Sequence, residues 1–266
     1  MGPSSSASRG KAKKISFFIV IQIIVSGCGD HYDARALMEN FDFLVIQTIY
    51  DFTSLFPLVF CYRRGLMHTN KLANPGPLGL MGFGMTTVLL NLHNAGFFPL
   101  NYAIISMGIF FGGLAQILAG LLEYKKGNTF GMTAFTAYGS FWLSLVGLLL
   151  LLPRLGLAEA SEAHVLGIYL ALWGVFTLFM FFGTLGAKRV LQFVFASLTL
   201  LFALLAVGNI TGNHALLTFA GYEGIICGAS AIYLAMAEVL NEQYGRTVLP
   251  IGEPASARVA ASLVTA

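Results

Sequence analysis

Residues 74–96, NPGPLGLMGFGMTTVLLNLHNAG, join two prolines to a run that is apolar enough, from Leu78 onward, to enter a bilayer. Pro75 and Pro77 have no backbone N–H, and each disfavours the α conformation of the residue before it. We therefore predict a helix that starts at or just after Pro77, behind an irregular segment that begins at Asn74. The free N–H groups of its first turn could attract a small anion. Alternatively, Asn74 and the prolines merely cap a helix at the membrane surface.

The composition is that of a protein embedded in lipid. Of the 266 residues, 57% are hydrophobic and 10% are charged, and the mean hydropathy is +0.78. A soluble domain carries about 25% charged residues, so this chain has too few charges to cover a water-facing surface. A formal net charge of +3, with no basic run interleaved with aromatic residues, argues against nucleic acid as a partner. We predict an all-α, polytopic membrane protein.

Segments of about 20 apolar residues, the length that crosses a bilayer as a helix, recur six times after Met67. The connections between them are short, so neighbouring helices should be antiparallel. The predicted spans are residues 78–98, 103–122, 130–152, 165–184, 190–208 and 216–240.

Lysine and arginine predict the orientation of these spans. Seven of them fall on one side of the predicted bundle and Arg154 falls on the other. Because cytoplasmic loops are enriched in Lys and Arg, both ends of the six-span region should be cytoplasmic. The seven are Lys71, Lys125, Lys126, Lys188, Arg189, Arg246 and Arg258.

The first 66 residues differ in composition from the rest. All four Asp residues lie at or before residue 51, and every acid after residue 66 is Glu. We favour an N-terminal extension over residues 1–66 that is outside the functional protein, followed by a membrane domain over residues 67–266. The alternative is a lipoprotein-like leader, ISFFIVIQIIVSGC (15–28) after a basic stretch, followed by a seventh span over 43–61 that contains Asp51.

The opening stretch resembles the signature of the acetate uptake transporter family, with Gly76 where that signature usually has Ala. The similarity extends over residues 67–253. It implies six transmembrane helices around a central pathway, assembly as a hexamer in the cytoplasmic membrane, and movement of acetate, and often succinate, with protons. Symport and channel activity both remain open. Further matching stretches are GLLEYKKGNTFG (120–131), WGVFTLFMFFGTL (173–185), ICGASAIYLAM (226–236) and NEQYGRTVLPIGE (241–253).

The resemblance also implies a narrow hydrophobic constriction at Phe83, Tyr138 and Leu198. Ordinary packing is the alternative for each of them among 23 Phe and 10 Tyr residues. Thr86 lies three residues beyond Phe83 and so shares its helical face, where it could bind a carboxylate. Gln116 is the carboxamide deep in the second span, and an intramembrane polar group usually faces the protein interior. It either lines the pathway or joins helices.

Within the third predicted span, Tyr138 lies roughly 160° around the helix from the hydroxyl residues Thr136 and Ser140. Both sets cannot face one narrow path on a regular helix. We keep Tyr138 on the pathway and interpret the hydroxyl residues as helix–helix contacts. Glu223 lies near the outer end of the sixth span, where it is either a hydrated carboxylate at the mouth or a proton acceptor. Glu123 and Glu238 are interpreted as interfacial.

Other functional classes find little support in the sequence. It contains none of the motifs HExxH, GxSxG or GxxxxGK[ST], and the cysteines at 28, 61 and 227 have no metal-clip or redox spacing. We therefore expect no enzyme, no metal and no cofactor, and keep a membrane sensor as the minor alternative. No Lys or Arg falls inside the six predicted spans. A carboxylate must then cross with a proton, or helix ends and amides must replace its hydration.

Overall fold

The computed structural model describes residues 72–151 and 163–252. The predictions made for residues 1–66, Lys71, Arg154 and Arg258 fall outside this part of the chain. Within it, regular secondary structure is entirely helical.

Six helices succeed one another along the described residues, and their ends match the six predicted spans to within about four residues. They are α1 (Gly76–Asn94), α2 (Tyr102–Lys126), α3 (Thr129–Val146, continued by a π-helical turn over Gly147–Leu151), α4 (Ala163–Gly183), α5 (Arg189–Thr211) and α6 (His214–Tyr244).

Five of these helices, α2 to α6, are long and apolar enough to cross a membrane. Helix α1 has 19 residues but is less apolar, because it holds four glycines and ends with Asn91, His93 and Asn94. The predicted all-helical, multi-pass architecture is therefore confirmed at the level of several membrane-spanning helices.

The described turns between helices are short. Side chains pair with free N–H groups at the starts of helices, and glycines end helices in the left-handed conformation. Asn101, Asn128 and Asn213 each accept a hydrogen bond from an N–H in the first turn of the helix that follows. Gly127 and Gly212 adopt the left-handed conformation at the ends of α2 and α5, where a side chain would be strained. These caps reverse the chain quickly and make neighbouring helices antiparallel.

Helix α1 begins at Gly76, slightly earlier than predicted. Pro75 is its capping residue, and the N–H groups of Leu78 and Gly79 both donate to the Pro75 carbonyl, at 3.1 and 3.3 Å. Pro77 falls within the first turn, where an N–H would have no partner inside the helix, so its ring costs nothing there. Proline therefore allows the helix to start one residue before it.

Helix α2 is interrupted by a π-helical segment, Gly108–Ala115, between the α-helical parts Tyr102–Met107 and Gln116–Lys126. The apolar pattern of the sequence does not predict this change of helical period. A π segment inserts an extra residue per turn and rotates everything that follows. It ends immediately before Gln116 and thereby sets the direction in which that side chain points.

Candidate functional site

A cavity of about 420 Å³ lies between α1, α2, α3, α5 and α6. Most of its wall is apolar, from Leu80 on α1 to Leu234 on α6. Polar and charged side chains gather at the end where α1 begins, and large apolar side chains fill the opposite end. The cavity is thus a blind vestibule with two chemically different ends.

We call the polar end the mouth and define it by Asn74, Glu123, Lys126, Asn128, Lys188 and Glu238. Asn74 is its hub: its amide donates to Glu238 Oε2 at 3.1 Å, and its oxygen accepts from Lys126 Nζ at 2.8 Å. Lys188 pairs with Glu238 Oε1 at 2.9 Å. Asn128 donates to Glu123 Oε2 at 2.7 Å. The mouth therefore connects the segment before α1, the α2–α3 turn, the start of α5 and the C-terminal end of α6.

The first turn of α1 faces this network. The Gly76 N–H donates to Asn74 Oδ1 at 3.3 Å. A Cβ on Gly76 would lie 3.4 Å from Glu238 Oε2 and 3.7 Å from Glu123 Oε1. The positive end of the helix dipole thus already has two carboxylates of the protein beside it. Pro75 is the capping residue of the helix, and Asn74 bonds to its first N–H as well as to two mouth residues, Lys126 and Glu238.

The three residues predicted as a constriction converge at the apolar end, which we call the neck (Phe83, Tyr138 and Leu198). All three line the cavity, and their side chains are 6%, 3% and 3% exposed. The rings of Phe83 and Tyr138 are 6.1 Å apart, and the Tyr138 hydroxyl donates to Thr177 Oγ1 at 3.0 Å. These three residues have almost no water-accessible surface at this end of the cavity.

Gln116 lies in the cavity wall and is 1% exposed. Its Oε1 has no hydrogen-bond partner within the described residues. The amide oxygen and nitrogen can exchange places by a flip, so this group can offer either an acceptor or a donor. A buried amide that lies beside a cavity and has an unpaired hydrogen-bonding atom is suited to bind a polar group that enters the cavity.

Thr86 lies elsewhere. It is fully buried and absent from the cavity wall, and its hydroxyl donates to the Met107 carbonyl at 3.5 Å. A Cβ on Gly112 would come within 2.9 Å of it. The structure therefore places Thr86 at the α1–α2 contact, and the idea that it binds a carboxylate stays a prediction.

The mouth as a unit was not predicted from the sequence. Glu123 and Glu238 were interpreted as separate interfacial residues, yet the structure places both in one network. Glu123 is 2% exposed, although glutamate is usually found at a protein surface. The partners of Glu238 lie 50 and 164 residues away in the chain. The one local signal was the spacing of three between Glu123 and Lys126, which form a 3.9 Å ion pair.

This geometry suits a small anionic solute. Lysines and amides at the mouth can replace part of the hydration of a carboxylate, and an apolar neck resists water and ions by dewetting. Within the described residues, no three His, Cys, Asp or Glu side chains are grouped so as to hold a metal ion.

Comparison with known proteins agrees with this architecture. A succinate–acetate/proton symporter, SatP, of Escherichia coli (strain K12) is 74% identical over 187 residues, which are 70% of this chain and 99% of that one. Acetate permease A of Emericella nidulans is 32% identical over 203 residues, 70% of this chain and 67% of that one.

A solved structure described as the bacterial acetate channel SatP superposes with a TM-score of 0.68 at 75% identity. It covers 68% of this chain, and all of that chain is matched. These relatives are transport proteins, not enzymes, as the sequence predicted. Residues 64–252 match the GPR1/FUN34/yaaH family. The resemblance inferred from the signature is thereby confirmed, and the chain belongs to the GPR1/FUN34/yaaH family.

Proposed function

We propose that this protein carries small carboxylates, acetate and succinate, across the cytoplasmic membrane together with protons. The observation that carries the proposal is the vestibule: a charged mouth that leads to an apolar neck, in a chain 74% identical to a succinate–acetate/proton symporter. Between mouth and neck, the described lining residues include no lysine or arginine. A carboxylate that leaves the mouth therefore loses its positive partners and passes the neck more easily as the neutral acid.

A passive acetate channel is the second candidate, because the superposed structure is described as an acetate channel. The two candidates share the pathway and differ in what crosses with the carboxylate. A symporter moves the anion with a proton, whereas a channel for the anion moves net charge.

Reconstituted vesicles distinguish the two candidates. Labelled acetate and succinate uptake is measured under an imposed pH gradient and, separately, under a potassium-diffusion potential, with protein-free vesicles subtracted for diffusion of the free acid. For acetate, symport with one proton moves no net charge, so uptake should follow the pH gradient and respond little to voltage. A channel predicts the reverse. No protein-dependent flux of either acid would overturn the proposed function.

Within this function, Phe83, Tyr138 and Leu198 act as the size-selective constriction. Gln116 offers its amide to a carboxyl group that has passed the mouth, and Thr86 is the second polar candidate. Asn74, Pro75 and Pro77 form the cytoplasmic mouth motif. Its packing around the start of α1, with Asn74 bonded to Lys126 and Glu238, supports this role.

We propose six transmembrane helices with both ends of the 67–266 region in the cytoplasm. Support comes from the convergence of Lys126 and Lys188 at the mouth, since cytoplasmic ends are enriched in Lys and Arg. Single cysteines introduced at Lys126 and at Asn213, at opposite ends of the bundle, should react with an impermeant thiol reagent from opposite sides of the membrane. Equal labelling from one side would contradict this topology.

We further propose that six copies assemble. Helix α4 supports a large apolar contact, because Leu172 and Phe179 are 68% and 71% exposed in the single chain. Only 17% of the most apolar part of α4 is buried, against 39% for the same part of the other four apolar helices. Native mass spectrometry of detergent-released protein tests the stoichiometry, and a monomer at all concentrations would refute it.

A further inference from the structure

Helix α6 carries a carboxyl group on the far side of the neck. On α6, Leu234 and Glu238 line the cavity, while Cys227 and Ala231 are fully buried. At 100° per residue, Glu223, Cys227, Ala231, Leu234 and Glu238 all fall within an arc of about 80° on this helix. Glu223 therefore lies on the same stripe of α6, about 22 Å along the helix from Glu238 and beside Leu198, at the end of the neck away from the mouth.

Among the described residues, those around Glu223 include polar groups but no Lys or Arg. The Ser197 hydroxyl, which immediately precedes the neck residue Leu198 on α5, donates to Glu223 Oε1. Glu223 Oε2 is buried and has no partner within the described residues. An ionised carboxylate would therefore hold its charge in the membrane with one hydroxyl donor, which is costly. A protonated carboxyl needs no counterion.

The groups that face Glu223 can be named element by element. From α5 comes Ser197, and from α6 itself comes Cys227, one turn away. Helix α1 presents Asn91, which lies against Gly224. His93, the next titratable group on α1, has its Nδ1 bonded to the Phe98 carbonyl at 2.9 Å. None of these supplies a fixed positive charge.

The other described charges lie at the opposite end of the bundle. Lys125 and Lys126 are in the last turn of α2, Lys188 and Arg189 are at the start of α5, and Arg246 follows α6. The remaining described acids are Glu123, Glu238 and Glu242, also at that end. Glu223 is thus the one described carboxyl group beyond the neck.

We propose that Glu223, held by Ser197, is the proton-exchange site of the pathway on the side of the neck opposite the mouth. This inference rests on the proposed function and adds the residue that delivers the proton. The Oε2–H bond of Glu223 breaks as an O–H bond forms on the substrate carboxylate, and Glu223 becomes ionised. Acetate then enters the neck as the neutral acid, and succinate enters with one negative charge fewer. Water on the outer side then returns a proton to Glu223.

The transport test uses the full chain in vesicles, with Glu223→Gln, which keeps the shape of the carboxylic acid but carries no exchangeable acid proton. The matched control is Glu242→Gln, an exposed acid on the same helix at the mouth end. For acetate, with uptake into protein-free vesicles subtracted, wild type and Glu242→Gln should follow the pH gradient. Glu223→Gln should lose pH-driven uptake, and any flux that remains should follow voltage. A Glu223→Gln variant with wild-type pH-driven, voltage-insensitive uptake would overturn the proposal.

A second measurement detects the proton itself. Infrared difference spectra between alkaline and acidic buffer should show the carbonyl band of a protonated carboxyl group that is absent from Glu223→Gln and kept in Glu242→Gln. Glu223→Asp should shift the band, which keeps the test valid if Gln does not fold. If the band persists in Glu223→Gln, the assignment to Glu223 is refuted. If wild type moves no carboxylate but the band behaves as expected, the proposed transport fails while the proton site stands.

Discussion

Tyr138 shows how neighbouring side chains fix one residue of the neck. Its hydroxyl donates to Thr177, which donates in turn to the Trp173 carbonyl at 2.7 Å. Its ring packs edge-on against Phe176, with centroids 5.5 Å apart. On the other side of α3, Thr136 lies so close to α2 that a Cβ on Gly120 would overlap it. The helical geometry that separates Tyr138 from Thr136 in the sequence thus assigns one to the cavity and the other to helix packing.

The residues of the site differ in how they could be predicted from the sequence. Phe83, Tyr138 and Leu198 came from family resemblance, since nothing in their spacing distinguishes them from other apolar residues. Gln116 followed from physical reasoning, because an amide inside a membrane span usually faces the protein interior, where it has a polar partner or a function. The Asn74 contacts with Lys126 and Glu238 were unpredictable, because they depend on where three distant segments end in space.

Replacement of Phe83 by alanine should relax the size selection of the neck. Phe83 is a bulky cavity-lining residue with a 6% exposed side chain, so its loss widens the narrowest part of the path. One methylene in an apolar pocket changes selectivity by about ten-fold or more. We expect the flux of butyrate relative to acetate to rise roughly ten-fold. Competition uptake into vesicles measures this ratio.

The control for this variant is Phe219→Ala on α6, where the side chain is 59% exposed. It removes the same ring from the surface and should leave the butyrate-to-acetate ratio unchanged. An unaltered ratio in Phe83→Ala, with the protein folded, would contradict the placement of the constriction.

At the scale of the helices, the length of the apolar segments was sufficient to predict six helices, and their predicted ends are correct to within about one helical turn. The π segment Gly108–Ala115 was not predicted. A shift of the backbone hydrogen bonds to a different partner does not change the pattern of apolar residues in the sequence. Within the π segment, Gly112 lies against Thr86 and Trp142, and Gly113 lies against Leu143. Those contacts come from α1 and α3 and cannot be read along α2.

The α1–α6 contact depends on glycine. A Cβ on Gly84 would lie 2.7 Å from the Gly228 carbonyl oxygen, and a Cβ on Gly228 would lie 2.7 Å from the Gly84 carbonyl oxygen. The two backbones therefore touch, as small residues permit in membranes. Gly228→Val should force them apart and cost about 1–3 kcal/mol, by the usual penalty of overpacking. A lower apparent melting temperature in detergent, followed by fluorescence-detected gel filtration, is the expected result.

Gly186→Ala is the matched control, because a Cβ there meets nothing within 4 Å. It should melt with wild type. Equal melting of Gly228→Val and wild type would show that α1 and α6 can separate without loss of stability.

At the scale of the whole molecule, we propose that residues 67–266 form the transport unit. The 187 residues aligned to the E. coli symporter are 99% of that relative, and the family match covers residues 64–252. A chain of residues 67–266 should therefore take up acetate at a rate within about two-fold of the full chain, at equal reconstituted amounts. A shortened chain that reaches the membrane but carries nothing would place an essential part of the transport unit in residues 1–66.

The mouth brings together residues that are distant in the sequence, and it contains equal numbers of basic and acidic side chains. It contains two lysines, Lys126 and Lys188, and two glutamates, Glu123 and Glu238. Glu238→Gln leaves Lys188 without its carboxylate partner and adds one net positive charge where a carboxylate first arrives. At low ionic strength its KM for acetate should fall roughly two- to ten-fold, and in Lys188→Gln it should rise by a similar factor. The double variant restores the original charge and should return near wild type.

Salt separates this charge effect from a structural one. Because about 1 M salt shortens the screening length to about 3 Å, the KM differences between the variants should nearly vanish there. If the Lys188–Glu238 pair served chiefly to hold α5 against α6, both single variants would instead lose transport equally at every salt concentration. Opposite shifts that disappear in salt require that the carboxylate meets the field of the mouth before it reaches the neck.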